Sequence, residues 1–63
     1  MDFYQSIQDT ANKFGMNLNN ERQFKFVMNN LPFRTYCHFY YRAQSIGVFK
    51  TIQEIKRRLK IKH

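Results

Sequence analysis

Apolar positions recur at intervals of three and four along most of this 63-residue chain. Nowhere do they alternate as they would in a half-buried strand. Four segments carry the helical period. In the first, residues 3–14, Phe3, Ile7, Ala11 and Phe14 line one side, with Gln5, Gln8, Asp9, Asn12 and Lys13 on the other. Asp2 stands where an N-cap is needed and Gly15 where a helix can end in a left-handed turn. The stretch "MNLNN" then reads as a loop. The second helix begins after Asn19 or Asn20, and Asn20 with Gln23 approximates a capping box. Phe24, Val27, Met28 and Leu31 form its apolar stripe. Phe26 falls opposite that stripe, so it is either covered by another element or exposed.

The third helix is expected over about residues 32–46, with Pro32 in its first turn and Gly47 at its end. Phe33, Tyr36, Cys37, Phe39, Tyr40 and Ala43 are assigned to its core side. Arg34, Thr35, His38, Arg42 and Ser45 are assigned to its solvated side. The fourth helix, about residues 51–62, opens on Thr51 and Glu54, a T-x-x-E capping box. Ile52, Ile55 and Leu59 should dock on the core, while Lys56, Arg57, Arg58, Lys60 and Lys62 project around the remaining circumference. The expected fold is therefore all-α: a small bundle of three to four short helices in one domain, residues 1–63. The second and third helices would be joined as in a helix-turn-helix, although Pro32 stands where such a turn more often has glycine. The segment TIQEIKRRL also resembles, as a local pattern, the first helix of many winged or simple helix-turn-helix domains.

Composition sharpens this picture. A chain this short buries only about 60% of its unfolded surface, so its core is small. Its single cysteine, Cys37, rules out an internal disulfide and suits a reducing, cytoplasmic setting, where it would be a core residue. No basic-then-apolar leader or membrane-length apolar run is present. Seven Phe and four Tyr are a heavy aromatic load, which either draws the most burial from a small core or covers a partner surface. On the second reading the partner includes a second copy, in a homodimer. Tyr4, Phe26 and Tyr41 are the rings least explained by a single core, and they form the candidate protein interface.

Charge is unevenly placed. Residues 1–30 sum to zero, and the whole excess of +7 lies in residues 31–63, where Glu54 is the lone acid. Such segregation points to an anionic partner. Catalysis is not expected, because no two of Asp2, Asp9, Glu21 and Glu54 are three or four residues apart. Nor is a metal or cofactor. Cys37 and His38 are adjacent, so on a helix their side chains diverge by about 100°. Two glycines, Gly15 and Gly47, cannot build a phosphate loop.

The remaining reading is a small, non-enzymatic, basic protein that binds nucleic acid, DNA before RNA, as a regulatory or accessory factor. Arg34, His38 and Arg42 recur every four residues and would face a groove. Lys50, Lys56, Arg57, Arg58, Lys60 and Lys62 would hold phosphates. The alternative is an inhibitor or adaptor that docks its basic and aromatic surface on an acidic site of a larger protein.

Overall fold

In the computed structural model, which describes residues 2–59, the chain forms four α-helices. They are α1 (Phe3–Phe14), α2 (Glu21–Met28), α3 (Phe33–Ile46) and α4 (Val48–Leu59). Each helix packs against the other three, giving a small all-α bundle. Ile7 and Ala11 from α1, Phe24, Val27 and Met28 from α2, Phe39 from α3, and Ile52 and Ile55 from α4 meet in one core. Leu18 closes it from the loop between α1 and α2. No helix among the described residues is long and apolar enough to cross a membrane.

The ends of α1 follow from local chemistry. Asp2 Oδ1 accepts hydrogen bonds from the Tyr4 and Gln5 amides at 3.0 and 3.2 Å. Gly15 then adopts a left-handed conformation (φ 66°, ψ 30°), and the Met16 amide reaches back to the Ala11 carbonyl at 2.8 Å. At α2 the Asn20 side chain accepts from the Gln23 amide at 3.1 Å. Gln23 does not complete the reciprocal half of the box. Its Oε1 accepts instead from the Asn17 amide at 2.6 Å, which fastens the preceding loop to the helix.

The other two helices depart from expectation. Pro32 lies outside α3, as its N-cap, with an extended backbone. More consequentially, α4 begins at Val48 and not at Thr51. Only Gly47 separates the two helices, at φ 93° and ψ 155°, a region of backbone space open essentially to glycine alone. The abrupt turn restarts the helix at once, so Thr51 falls inside it. Its hydroxyl is fully buried and donates to the Gly47 carbonyl at 2.7 Å, and Glu54 is left with no capping role.

The second departure is the facing of α3. Thr35 and Phe39 are fully buried, while Phe33 is 80% exposed, Tyr41 69% and Tyr40 42%. Of the side assigned to solvent, Thr35 is buried and His38 half-buried, while Arg34, Arg42 and Ser45 stay exposed, so the helix is turned part of the way from the expected facing. Size explains the choice. Thr35 Oγ1 approaches Ser6 Oγ on α1 to 3.4 Å, and two small side chains let those helices come closer than facing rings would. Cys37 follows the rotation and is half-buried, not a core residue.

The Gly47 joint generates a test. A Cβ at this position would meet nothing within 4 Å, so Gly47→Ala is opposed by backbone conformation alone. It should cost about 1–3 kcal/mol of stability in urea titrations followed by circular dichroism. An unchanged midpoint would mean that α3 and α4 do not need this turn.

Candidate functional site

Glu54 gathers the polar side chains of the bundle. Arg42 on α3 grips it with two donors, Nε to Oε1 at 3.0 Å and a terminal guanidinium nitrogen to Oε2 at 2.6 Å. The Tyr4 hydroxyl on α1 donates to the same Oε1 at 3.1 Å. One turn after Glu54, the Arg58 guanidinium lies 4.8 Å from the centre of the Tyr4 ring, a cation–π contact. One carboxylate therefore ties α1, α3 and α4 together. Its hydrogen bonds from Arg42 above all, helped by Tyr4, hold Glu54 below the ordinary carboxylate range. The same pair raises the Arg42 guanidinium further. Burial, then the bond to Glu54, raises the Tyr4 phenol above its usual value.

This arrangement redistributes the residues expected to bind. Arg42 is an inter-helix clamp and not a free groove-facing side chain. His38, expected beside it on the solvated side, is packed among rings. It stacks on Phe3 with centroids 4.4 Å apart and meets Phe39 edge-on at 4.9 Å and Tyr4 at 6.1 Å. Its Nε2 is enclosed and has no hydrogen-bond partner among the described residues. Arg34 and Arg42 both stay exposed, but Arg42 is committed to Glu54, so Arg34 alone of the proposed groove row is exposed with no ion pair among the described residues. The expected row fails because α3 turns His38 and Arg42 toward α1 and α4.

The terminal cations fare differently. Lys50, Gln53 and Arg57 are exposed on α4 and recur at helical spacing, with Lys56 half-buried at their side. Lys50, which precedes the expected helix, is part of it. Lys60 and Lys62 lie outside the described residues. All four acidic side chains are engaged elsewhere. Asp2 caps α1, Asp9 accepts from Gln5, Glu21 pairs with Lys25, and Glu54 pairs with Arg42. Among the described residues, the outer face of α4 is left with cations and no carboxylate within ion-pair distance.

The candidate aromatic interface is not one patch either. Tyr4 is partly covered beneath Glu54 and Arg58. Phe26, 42% exposed, meets Phe14 edge-to-face at 5.5 Å. Tyr41 packs on Tyr40 at 5.6 Å. Sequence reasoning missed the outward placement of Phe33 and Tyr40, and of Phe49, which is 68% exposed on α4. One signal was available: Phe39, Tyr40 and Tyr41 are consecutive and diverge by about 100° each, so three successive rings on a helix cannot all point to the core.

Among the described residues no group of three or more His, Cys, Asp or Glu side chains comes together. A cleft of about 320 Å³ between α1 and the following loop is lined by Gln8, Asn12 and Asn17 with Ala11, Met16 and Leu18, and it holds no titratable group. Compared with known proteins, the chain matches no family model, no curated protein and no solved structure.

The Glu54 clamp has a pH signature. Because its folded-state value is depressed, the stability that it contributes is complete above the ordinary carboxylate range and disappears as pH falls through the folded value. Acidification from neutrality to about pH 3 should therefore lower the Tm of the native chain more than that of Glu54→Gln. Parallel Tm curves for the two would show that the clamp adds nothing.

Proposed function

We propose that this chain is a small, non-enzymatic nucleic-acid-binding protein that grips the phosphate backbone, of DNA first, through the outer face of α4. The observation that carries this reading is the cationic face of Lys50, Lys56 and Arg57, without an ion pair among the described residues, on a molecule whose four acidic side chains are occupied elsewhere. Like charges held at successive positions on one helix repel one another, and a polyanion removes that repulsion while releasing its own counterions. Macrodipole compensation favours cations in the last turn of α4, but it leaves Lys50, in the first turn, unexplained.

The reading is narrower than the sequence suggests. With His38 packed among rings and Arg42 clamped, little remains to read base edges beyond Arg34. Binding should be sensitive to salt and nearly indifferent to sequence, as phosphate contacts are. Such a protein would act as an accessory factor more than as a site-specific regulator. The alternative, docking on an acidic site of a larger protein, draws on the rings left outward on α3. Those rings and the cations of α4 are on different helices, which separates the two roles.

Fluorescence anisotropy with a labelled duplex, repeated at several salt concentrations, tests the proposal. Log affinity should fall linearly with log salt. Replacing Lys50, Lys56 and Arg57 with Gln should make that slope shallower by about 0.9 for each phosphate that is no longer neutralised. Arg34→Gln should have at most a small effect on preference between sequences. Absence of binding at low salt, or a slope that ignores the triple replacement, would refute the assignment.

A further inference from the structure

The outward side of α3 carries three of the six large hydrophobic side chains that the bundle leaves exposed among the described residues, Phe33, Tyr40 and Tyr41. Phe33, Cys37, Tyr40 and Gln44 follow one another at helical spacing, flanked by Tyr36 and Tyr41. The rings form a connected group, since Tyr40 stacks on Tyr36 at 5.7 Å and meets Tyr41 edge-on at 5.6 Å. Phe33, Tyr40 and Tyr41 together expose on the order of 400 Å². That is as large as the biggest apolar patch of a typical monomer, and about half of what each partner contributes to a standard interface.

The charge pattern indicates what covers it. An acidic partner would be met by cations within the patch, yet the row itself is uncharged: Arg34 stands at its flank, Lys25 at the adjoining cleft is paired with Glu21, and the exposed cations of α4 lie on another helix. An uncharged row suits an uncharged partner face, and this chain has one to offer. We infer that the chain forms a twofold dimer by pairing α3 antiparallel with α3 of a second copy.

The row is self-complementary under that symmetry. A twofold axis passing midway between positions 38 and 39 sets Cys37 opposite Tyr40 and Phe33 opposite Gln44 of the other copy, while each flank meets its own counterpart, Tyr36 beside Tyr36 and Tyr41 beside Tyr41. Arg34 lies on the Tyr41 flank toward the end of the helix, so the two Arg34 side chains stand at opposite ends of the seam. The match extends to shape. Phe33, the most exposed ring of the molecule, stands at one end of the row. At the other end a cleft of about 380 Å³ opens between α2, α3 and the start of α4, with Phe24, Met28, Tyr40 and Val48 among its apolar lining and Lys25, Asn29 and Gln44 as its polar members; Lys25 is paired with Glu21. The same axis that brings position 33 to position 44 carries each Phe33 to the cleft of its partner. A closed twofold contact of this kind uses one patch twice and leaves no end open for further growth. It also supplements a core of nine buried hydrophobic residues, which is modest for a chain without disulfide or metal.

Sedimentation velocity from micromolar to near-millimolar concentration, in solutions of moderate salt, tests this independently of any nucleic acid. The native chain should pass from monomer to dimer within that range and go no further. Phe33→Glu should weaken the association by at least about tenfold. Phe49→Glu removes a ring of similar exposure that lies outside the seam, and it should leave the dimer intact. Circular dichroism should show both variants folded, since neither ring belongs to the core. A native chain that stays monomeric throughout would overturn the inference and leave the row for a different protein partner. Equal weakening by the two variants would also overturn it, because general stickiness of exposed rings would then suffice.

Discussion

Glu54 accepts hydrogen bonds from Arg42 and Tyr4 at once, and this single carboxylate governs how the bundle presents itself. Bidentate pairing fixes the Arg42 side of α3 against α4. The bond from Tyr4 draws α1 to the same place and encloses His38 beneath Phe3. With Thr35 and His38 packed inward and Arg42 held against α4 at the bundle's edge, the opposite arc of α3 carries Phe33, Tyr40 and Tyr41 into solvent. An exposed ion pair contributes little stability by itself. Its importance here is directional, because it helps to choose between two arcs of a helix that has rings on both.

The surfaces of α4 and α3 depend on that choice in opposite ways. On α4, Glu54 points to Arg42 and so cannot neutralise Lys50 or Arg57, which leaves a cationic face in need of a counter-anion. On α3, the uncharged arc is left in need of cover. The Gly47 turn adds to both, because a helix that restarts at Val48 brings Lys50 and Phe49 onto α4. A separate capped helix beginning at Thr51 would have left them in a loop.

Sequence reasoning reached the helices whose signals are local and failed where tertiary contacts competed. The bounds of α1, with Asp2 and Gly15 at its ends, are legible because each signal acts within four residues. The α2 stripe of Phe24, Val27 and Met28 is legible because, Phe26 apart, the other side of that helix is polar. The start of α4 was not, because T-x-x-E is the same whether Thr51 caps a helix or donates to a carbonyl within one. The facing of α3 was not, because Phe33, Tyr36, Cys37, Phe39 and Tyr40 spread over an arc of about 160°, nearly half of its circumference, and spacing alone does not say which edge of that arc packs. Burial of Thr35 rather than a ring depends on Ser6, 29 positions away. The cationic candidates on α4 were found because charge excess is a property of composition. In the groove row Arg34 and Arg42 are exposed as expected, but spacing on one helix could not foresee that His38 packs among rings or that Glu54 on α4 engages Arg42.

The central claim is a division of labour: α4 meets an anion, while His38 and Arg42 belong to the scaffold. Amide chemical-shift mapping with a short duplex, at low salt, addresses that division directly. Perturbations concentrated on Lys50, Gln53 and Arg57, with Phe39 and Arg42 nearly still, are the result expected. A footprint centred on His38 and Arg42 would mean that α3 turns its other side to the ligand, and it would contradict the account.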